Sequence, residues 1–105
     1  MDIGDVIRPS KIATLKDHVF VVISQSGHHS GEVVIVNFTT YEADRDSSCL
    51  LDVGDHPFIK HRTSISYRDA KCVPEADLDA AIAASLIHVL EPASDELLDK
   101  ILEGA

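Results

Sequence analysis

The stretch EVVIVNFTT, residues 32–40, decides the fold because it is almost continuously apolar until Asn37. An earlier run, HVFVVIS at residues 18–24, has the same β-branched and aromatic composition. Uninterrupted runs of this kind are typical of strands that are buried on both faces of a sheet. The intervening QSGHHSG, residues 25–31, has the composition of a loop. Together the three segments predict an antiparallel hairpin.

Shorter patterns lie on both sides of this hairpin. Residues 4–8 (GDVIR) predict a strand that ends at Pro9, and residues 49–53 (CLLDV) predict a second short strand. The polar residues 41–48 form the connection before it. Residues 59–67 alternate between apolar and polar side chains, which predicts a strand with one buried face.

The last third of the chain changes character and predicts two helices. Residues 74–85 begin with proline and acidic residues, and their apolar residues recur at intervals of four: Leu78, Ile82 and Leu86. Ser94 is the predicted N-cap of a second helix that ends at Gly104. The apolar face of that helix comprises Leu97, Leu98, Ile101 and Leu102. Residues 86–90 fit either a strand or a helix extension. Strands followed by helices predict one α+β domain over residues 1–105.

Charge limits the partners of this 105-residue chain. The formal net charge of −9 argues against non-specific affinity for nucleic acid or for an anionic membrane. Residues 1–67 hold six Lys and Arg against nine Asp and Glu, whereas residues 68–105 hold three against nine. The first two thirds of the chain can therefore form a local positive surface.

Two further observations concern the cellular compartment. No apolar run approaches the roughly 20 residues needed to span a bilayer, and the N-terminal segment lacks the architecture of a signal peptide. The chain is therefore predicted to be cytoplasmic. Cys49 and Cys72 have no C-x-x-C spacing, and both are expected to be small buried hydrophobic residues.

The stretch GDHPFIKHRTSISYRD, residues 54–69, concentrates basic and hydroxyl side chains. Its first four residues predict a turn. In the strand that follows, one face is expected to carry Lys60, Arg62, Ser64, Ser66 and Arg68. Neighbours on that face would be about 6.6 Å apart, and such a row suits the oxygens of successive phosphates. The alternative is a solvated face that keeps an edge strand from pairing with other chains.

Histidines raise the question of a metal. His56 and His61 are five residues apart, a spacing that matches no familiar ligand motif, and His28 and His29 lie in a separate loop. A composite site with carboxylates stays open, but we expect no metal and no cofactor. His56 is expected either to fold the turn at residues 54–57 or to offer an acid–base group there.

A second polar group lies where the hairpin ends. Asn37 and Thr39 share one face of the strand at its exit, and His18 begins the neighbouring strand. The hairpin predicts that His18 is close to this exit. A histidine beside a hydroxyl can serve acid–base chemistry, although the same residues also fit a strand end capped by polar groups.

These stretches resemble the PemK/MazF-like toxin family, the small barrels of bacterial toxin–antitoxin pairs. The opening Gly4-Asp5-Val6, the run at residues 18–24, the Thr39-Thr40 pair and the terminal helix carry the resemblance. It implies an SH3-like antiparallel β-barrel with C-terminal helices, a homodimer and a cognate antitoxin. Thr39 matches the family's functional hydroxyl. His18 stands where the family has arginine, and Val19 where it has proline.

The function that the resemblance implies is metal-independent cleavage of single-stranded RNA, in which the 2′-hydroxyl attacks the adjacent phosphate. In this hypothesis His18 and His56 exchange protons and Thr39 orients the scissile phosphate. The RNA backbone is held by Arg62, Lys60, Ser64, Ser66 and Arg68. Two alternatives stay open: a non-catalytic barrel that binds a protein partner in a toxin–antitoxin or defence operon, and a metal-dependent hydrolase that uses the histidines.

Overall fold

The computed structural model describes residues 2–9, 18–25, 31–40 and 49–104. The elements in chain order are β1 (Val6–Pro9), β2 (Phe20–Gln25), β3 (Glu32–Thr40), β4 (Leu50–Leu51), β5 (Thr63–Pro74), α1 (Glu75–Ala83), β6 (Ile87–Val89) and α2 (Asp95–Gly104). The predicted α+β class is confirmed. The polar connection predicted at residues 41–48 and most of the predicted loop at residues 25–31 lie outside the described residues.

The strands form one antiparallel sheet in the order β4-β5-β3-β2-β1-β6. The predicted hairpin of β2 and β3 is confirmed, with Phe20 opposite Asn37 and Gln25 opposite Val33. Within the described residues the sheet is open, because no ladder joins β4 to β6. Pro9 is the last residue of β1, where it lies opposite Ile87 of β6.

Both faces of the central strands are buried, as their uninterrupted apolar sequences predict. One face packs against α2 and contributes a cluster that includes Val6, Val21, Val36, Phe38, Ile65, Leu97 and Ile101. The opposite face packs against α1 and contributes a cluster that includes Ile7, Phe20, Val22, Ile35, Leu78 and Ile87. Consecutive residues of one strand therefore belong to different cores, which is why the sequence shows no alternation there.

Strand β5 differs from the prediction in its start, its burial and its regularity. It begins at Thr63 and not at residue 59, and Ser64 and Ser66 are buried. Ile35 pairs with Lys71 whereas Asn37 pairs with Ser66, so β5 carries a bulge of three extra residues opposite β3. The predicted half-buried alternation is wrong because the first four residues of β5 are all buried, so both of its faces are covered there. The bulge then shifts the register.

The helices follow the local signals closely. The hydroxyl of Ser94 accepts a hydrogen bond from the amide of Leu97 at 3.1 Å, which is the predicted N-cap. Residues 86–90 contain β6, because α1 ends before Ser85, whose φ of +62° breaks the helical path. Leu102 is exposed, so the apolar face of α2 is narrower than predicted, and Gly104 is its last residue.

The two cysteines have different environments. Cys49 is buried in the core beneath α2, and burial raises the pKa of its thiol. Cys72 is exposed on β5, which corrects the prediction that it is buried, and a hydrogen bond with Glu32 raises the pKa of its thiol. Neither described helix is long and apolar enough to span a membrane.

Candidate active site

A cleft of about 340 Å³ opens where β3 ends and β2 begins. Its walls comprise His18, Val19, Phe38, Thr39, Thr40, Phe58, Ile59, Lys60, His61 and Thr63. The register explains this grouping. Phe20 lies opposite Asn37, so His18, two residues earlier, comes beside Thr39, two residues later. The predicted proximity of His18 and Thr39 is therefore confirmed.

The other side of the cleft is formed by the segment before β5. Thr40 lies opposite Thr63, and His61 precedes Thr63 by two residues. The Thr40 hydroxyl and Nε2 of His61 form a hydrogen bond of 2.8 Å. The Thr63 hydroxyl donates to the main-chain oxygen of His61 at 3.0 Å. The pairing of β3 with β5 thus sets the position of the His61 ring.

Aromatic rings form the wall between these two sides. Phe58 meets Phe38 edge to face, with ring centroids 4.8 Å apart and an interplanar angle of 79°. His18 meets Phe20 in a similar T-shaped contact at 6.3 Å. Such contacts orient the rings as well as burying them. His18, Lys60 and His61 are exposed, so their polar ends are accessible from solvent.

The predicted site residues did not include three polar residues of this cleft: Thr63, and the pair formed by Thr40 and His61. The structure brings them together across 21 positions of sequence through the β3–β5 pairing. The available signal was alternation, since a strand from residue 59 puts His61 and Thr63 together on the face opposite Lys60 and Arg62. What the sequence did not show was which residues of the hairpin would meet that face.

His56 is not among the residues that line the cleft, which revises its predicted catalytic role. It is only 4% exposed and lies beside a second hollow of about 530 Å³ that shares Ile59 and Lys60 with the cleft. Its Nδ1 accepts from the amide of Phe58 at 3.3 Å, and its Nε2 is 2.5 Å from the main-chain oxygen of Glu91. Both ring nitrogens are therefore occupied by backbone groups, as the turn-folding alternative predicts.

The predicted row of cations and hydroxyls does not form one surface. Nε of Arg62 donates to Oδ1 of Asp52 at 3.0 Å, and Arg62 is not among the residues lining the cleft. Ser64 is 1% exposed, and the hydroxyl of Ser66 donates to Oδ2 of Asp69 at 2.6 Å. Arg68 lies in the bulge. Only Lys60 of this row lines the cleft, because β5 begins at Thr63, three residues after Lys60, and its serines are buried.

The cleft has a chemistry that suits an anion. Its polar side chains are two imidazoles, one ammonium group and hydroxyls, and none of the described residues that line it is a carboxylate. This local composition contrasts with the net charge of −9. In the described part of the chain no three His, Cys, Asp or Glu residues converge as metal ligands. His28 and His29 lie outside the described residues.

The chain matches no protein-family model, no curated protein and no solved structure. The geometry and chemistry of the cleft are therefore the basis for assigning a function.

Proposed function

We propose that the chain is a metal-independent endoribonuclease that cleaves single-stranded RNA by attack of the 2′-hydroxyl on the adjacent phosphate. The observation that carries this proposal is the presence of His18 and His61 in one cleft with Lys60 and Thr40. Histidine is the side chain best suited to giving and taking protons near neutral pH. Two imidazoles can therefore supply the base and the acid without a metal or a covalent intermediate.

In the reaction, one neutral imidazole removes the proton of the 2′-hydroxyl, and the oxygen attacks the phosphorus. The bond to the 5′-oxygen of the next nucleotide breaks, and the second imidazole, in its protonated form, gives that oxygen a proton. The products are a 2′,3′-cyclic phosphate and a 5′-hydroxyl. The Lys60 ammonium stabilises the charge that develops on the phosphate oxygens. The Thr40 hydroxyl orients His61 through their 2.8 Å hydrogen bond.

The family assignment belongs to the same proposal. A PemK/MazF-like SH3-like barrel is supported by the Gly4-Asp5-Val6 opening, the β2–β3 hairpin, the Thr39-Thr40 exit and the capped helix α2. The bulges in the β2–β3 and β3–β5 ladders bend the sheet, as closure of a barrel requires. A homodimer, a cognate antitoxin and a cytoplasmic location follow from this assignment.

His61 accounts for the main departure from the family pattern. Where that pattern has arginine, this chain has His18, which carries only part of a positive charge at neutral pH. The second imidazole and Lys60 in the same cleft provide the proton donor and the permanent charge that the arginine would otherwise supply.

The test is to incubate the protein with a long, largely unpaired RNA in excess chelator and to map the cut ends. We expect discrete cuts by the wild type. The cleavage rate should be about 10²–10⁴-fold lower for His18→Ala and for His61→Ala. His88→Ala is the matched control, because His88 is exposed on β6 and does not line the cleft. Intact RNA with the wild type would refute catalysis and leave the protein-interaction module. Full activity in either cleft variant would refute the assigned site.

A further inference from the structure

His56 is a buried histidine that the proposed reaction does not use. The amide of Phe58 donates to Nδ1, so Nδ1 carries no proton. The proton of the neutral ring is then on Nε2, which donates to the main-chain oxygen of Glu91. The two hydrogen bonds together require the neutral imidazole with its proton on Nε2.

The bond from Nε2 joins two parts of the molecule that are 35 residues apart in sequence, whereas the bond from the Phe58 amide lies within the turn at residues 56–58. One is the segment at residues 52–62, named here the site loop, which supplies Phe58, Lys60 and His61 to the cleft. The other is the segment between β6 and α2. The His56 ring also contacts the Phe58 ring, with centroids 4.9 Å apart, and the amide of Ile59 donates to the main-chain oxygen of His56 at 2.9 Å.

A second proton on His56 would have to go on Nδ1, where it would face the amide hydrogen of Phe58. That hydrogen bond would be lost and two donors would oppose each other within the turn. The charges around the ring do not offset this. Oδ2 of Asp55 already accepts from the Asp52 amide at 2.9 Å and from Lys100 of α2 at 3.4 Å.

The remaining charged groups beside the ring are those of Glu91 and Lys60, which line the same hollow. Glu91 meets His56 through its main-chain oxygen, and both Glu91 and Lys60 are exposed, so solvent screens their opposite charges. A charged His56 would therefore be poorly accommodated in a ring environment that is 4% exposed.

We propose that His56 is a positioning residue of the cleft: as a neutral imidazole it holds the turn at residues 56–58 against the segment that contains Glu91. A second proton on the ring breaks its bond to the Phe58 amide and releases the part of the site loop that carries Phe58, Lys60 and His61. The release is a property of the fold. Its effect on RNA cleavage rests on the proposed function. The sign follows from the hydrogen bonds: the neutral ring makes both and the doubly protonated ring keeps only the one to Glu91, so this part of the loop is held by the neutral ring and released by acid.

The first experiment follows the wild type and His56→Gln by NMR between pH 8 and pH 5. The nitrogen shifts of the imidazoles report the protonation of each ring, and the amides of Phe58 and Ile59 report the loop. The glutamine side chain keeps a donor toward Glu91 but does not titrate. We expect the neutral ring of His56 to carry its proton on Nε2, and the loop amides to shift together with its protonation. In His56→Gln that step should be absent.

A loop that titrates identically in His56→Gln would overturn the proposal, as would a neutral His56 with its proton on Nδ1. The tautomer measurement needs only the wild type, so it decides the proposal even where the variant does not fold. His56→Asn, whose side-chain oxygen can accept from the Phe58 amide, is the complementary variant.

The second readout is RNA cleavage, which separates this proposal from the proposed function. Between pH 7.5 and pH 5.5 the cleavage rate of both proteins is measured. The fold-decrease of the wild type should be about three times that of His56→Gln, because only the wild type loses a hydrogen bond of the loop. Equal profiles would refute the positioning role while leaving the ribonuclease intact. Loop release by NMR without cleavage at any pH would refute the ribonuclease and leave the proton-dependent loop.

Discussion

The β2–β3 hairpin and the site loop are held in opposite ways. The hairpin has a ladder with a single bulge and apolar residues in both cores, so many small contributions support each position. The site loop packs Ile59 and Phe58 at the core beneath α2 and is otherwise held by separate polar contacts, one of them between its own two ends. They join Arg62 to Asp52, Asp55 to Lys100 and His56 to Glu91. The β2–β3 hairpin should therefore tolerate the loss of any single polar contact, whereas the neighbouring site loop depends on a few such contacts.

This difference has an energetic consequence. Full burial of a large apolar side chain contributes several kcal/mol, whereas a single hydrogen bond or exposed ion pair contributes about 1 kcal/mol or less. Damage to the hairpin should therefore unfold the chain. Damage to the site loop should change the cleft while leaving the fold in place.

The largest effect is expected for Phe20→Ala. Phe20 is 1% exposed in the core beneath α1, and its loss should lower the free energy of unfolding by about 3–5 kcal/mol. Urea denaturation followed by circular dichroism measures this change. The control is Val53→Ala in the site loop, where the valine is 65% exposed and the expected change is below about 0.5 kcal/mol. Similar losses at the two sites would contradict the contrast between the two regions.

The same contrast explains which elements the sequence could predict. The hairpin and the Ser94 cap depend on residues close together in the chain, and both are present as predicted. The start of β5, by contrast, does not depend only on residues close together in the chain. Parity counting assumed a strand from residue 59 with one face in solvent, but Ser64 is covered on a face that the sequence marks as polar.

The site was predictable only to the extent that it depends on the hairpin. His18 and Thr39 meet because of the β2–β3 register, which the sequence indicates. His61 meets Thr40 only through the pairing of β3 with β5, which no local pattern specifies. The Nε2 of His56 bonds to a carbonyl 35 residues away, so its sequence neighbours gave no sign of this contact.

A smaller effect is expected for Thr40→Val, which keeps the shape of the side chain but removes the hydrogen bond to His61. The hydrogen bond that orients His61 is expected to contribute about 0.5–1.5 kcal/mol. Its loss corresponds to a cleavage rate roughly threefold to tenfold lower. Initial rates on a short RNA measure it. Thr39→Val is the comparison variant, because Thr39 lines the same cleft beside His18, whereas Thr40 is bonded to His61. A larger loss in Thr39→Val than in Thr40→Val would favour the hydroxyl that the family resemblance implies.

The smallest effect is expected for Arg62→Ala, and it tests the role that the sequence assigned to this residue. Arg62 and Asp52 form an ion pair at the two ends of the site loop, with side chains 57% and 65% exposed. Exposed pairs contribute about 0.2–1 kcal/mol, so the free energy of unfolding should change by no more than this. The cleavage rate should change by less than about threefold, since Arg62 does not line the cleft.

Asp52→Ala and the double variant complete a cycle that separates the two possible roles of Arg62. If Arg62 acts only through Asp52, each single variant and the double variant should have similar rates and stabilities, because each removes the same contact. If Arg62 holds the RNA backbone, Arg62→Ala should lower the affinity for RNA while Asp52→Ala, which removes only a negative charge, should not. A drop of tenfold or more that is confined to variants lacking Arg62 would return this residue to the RNA-binding surface.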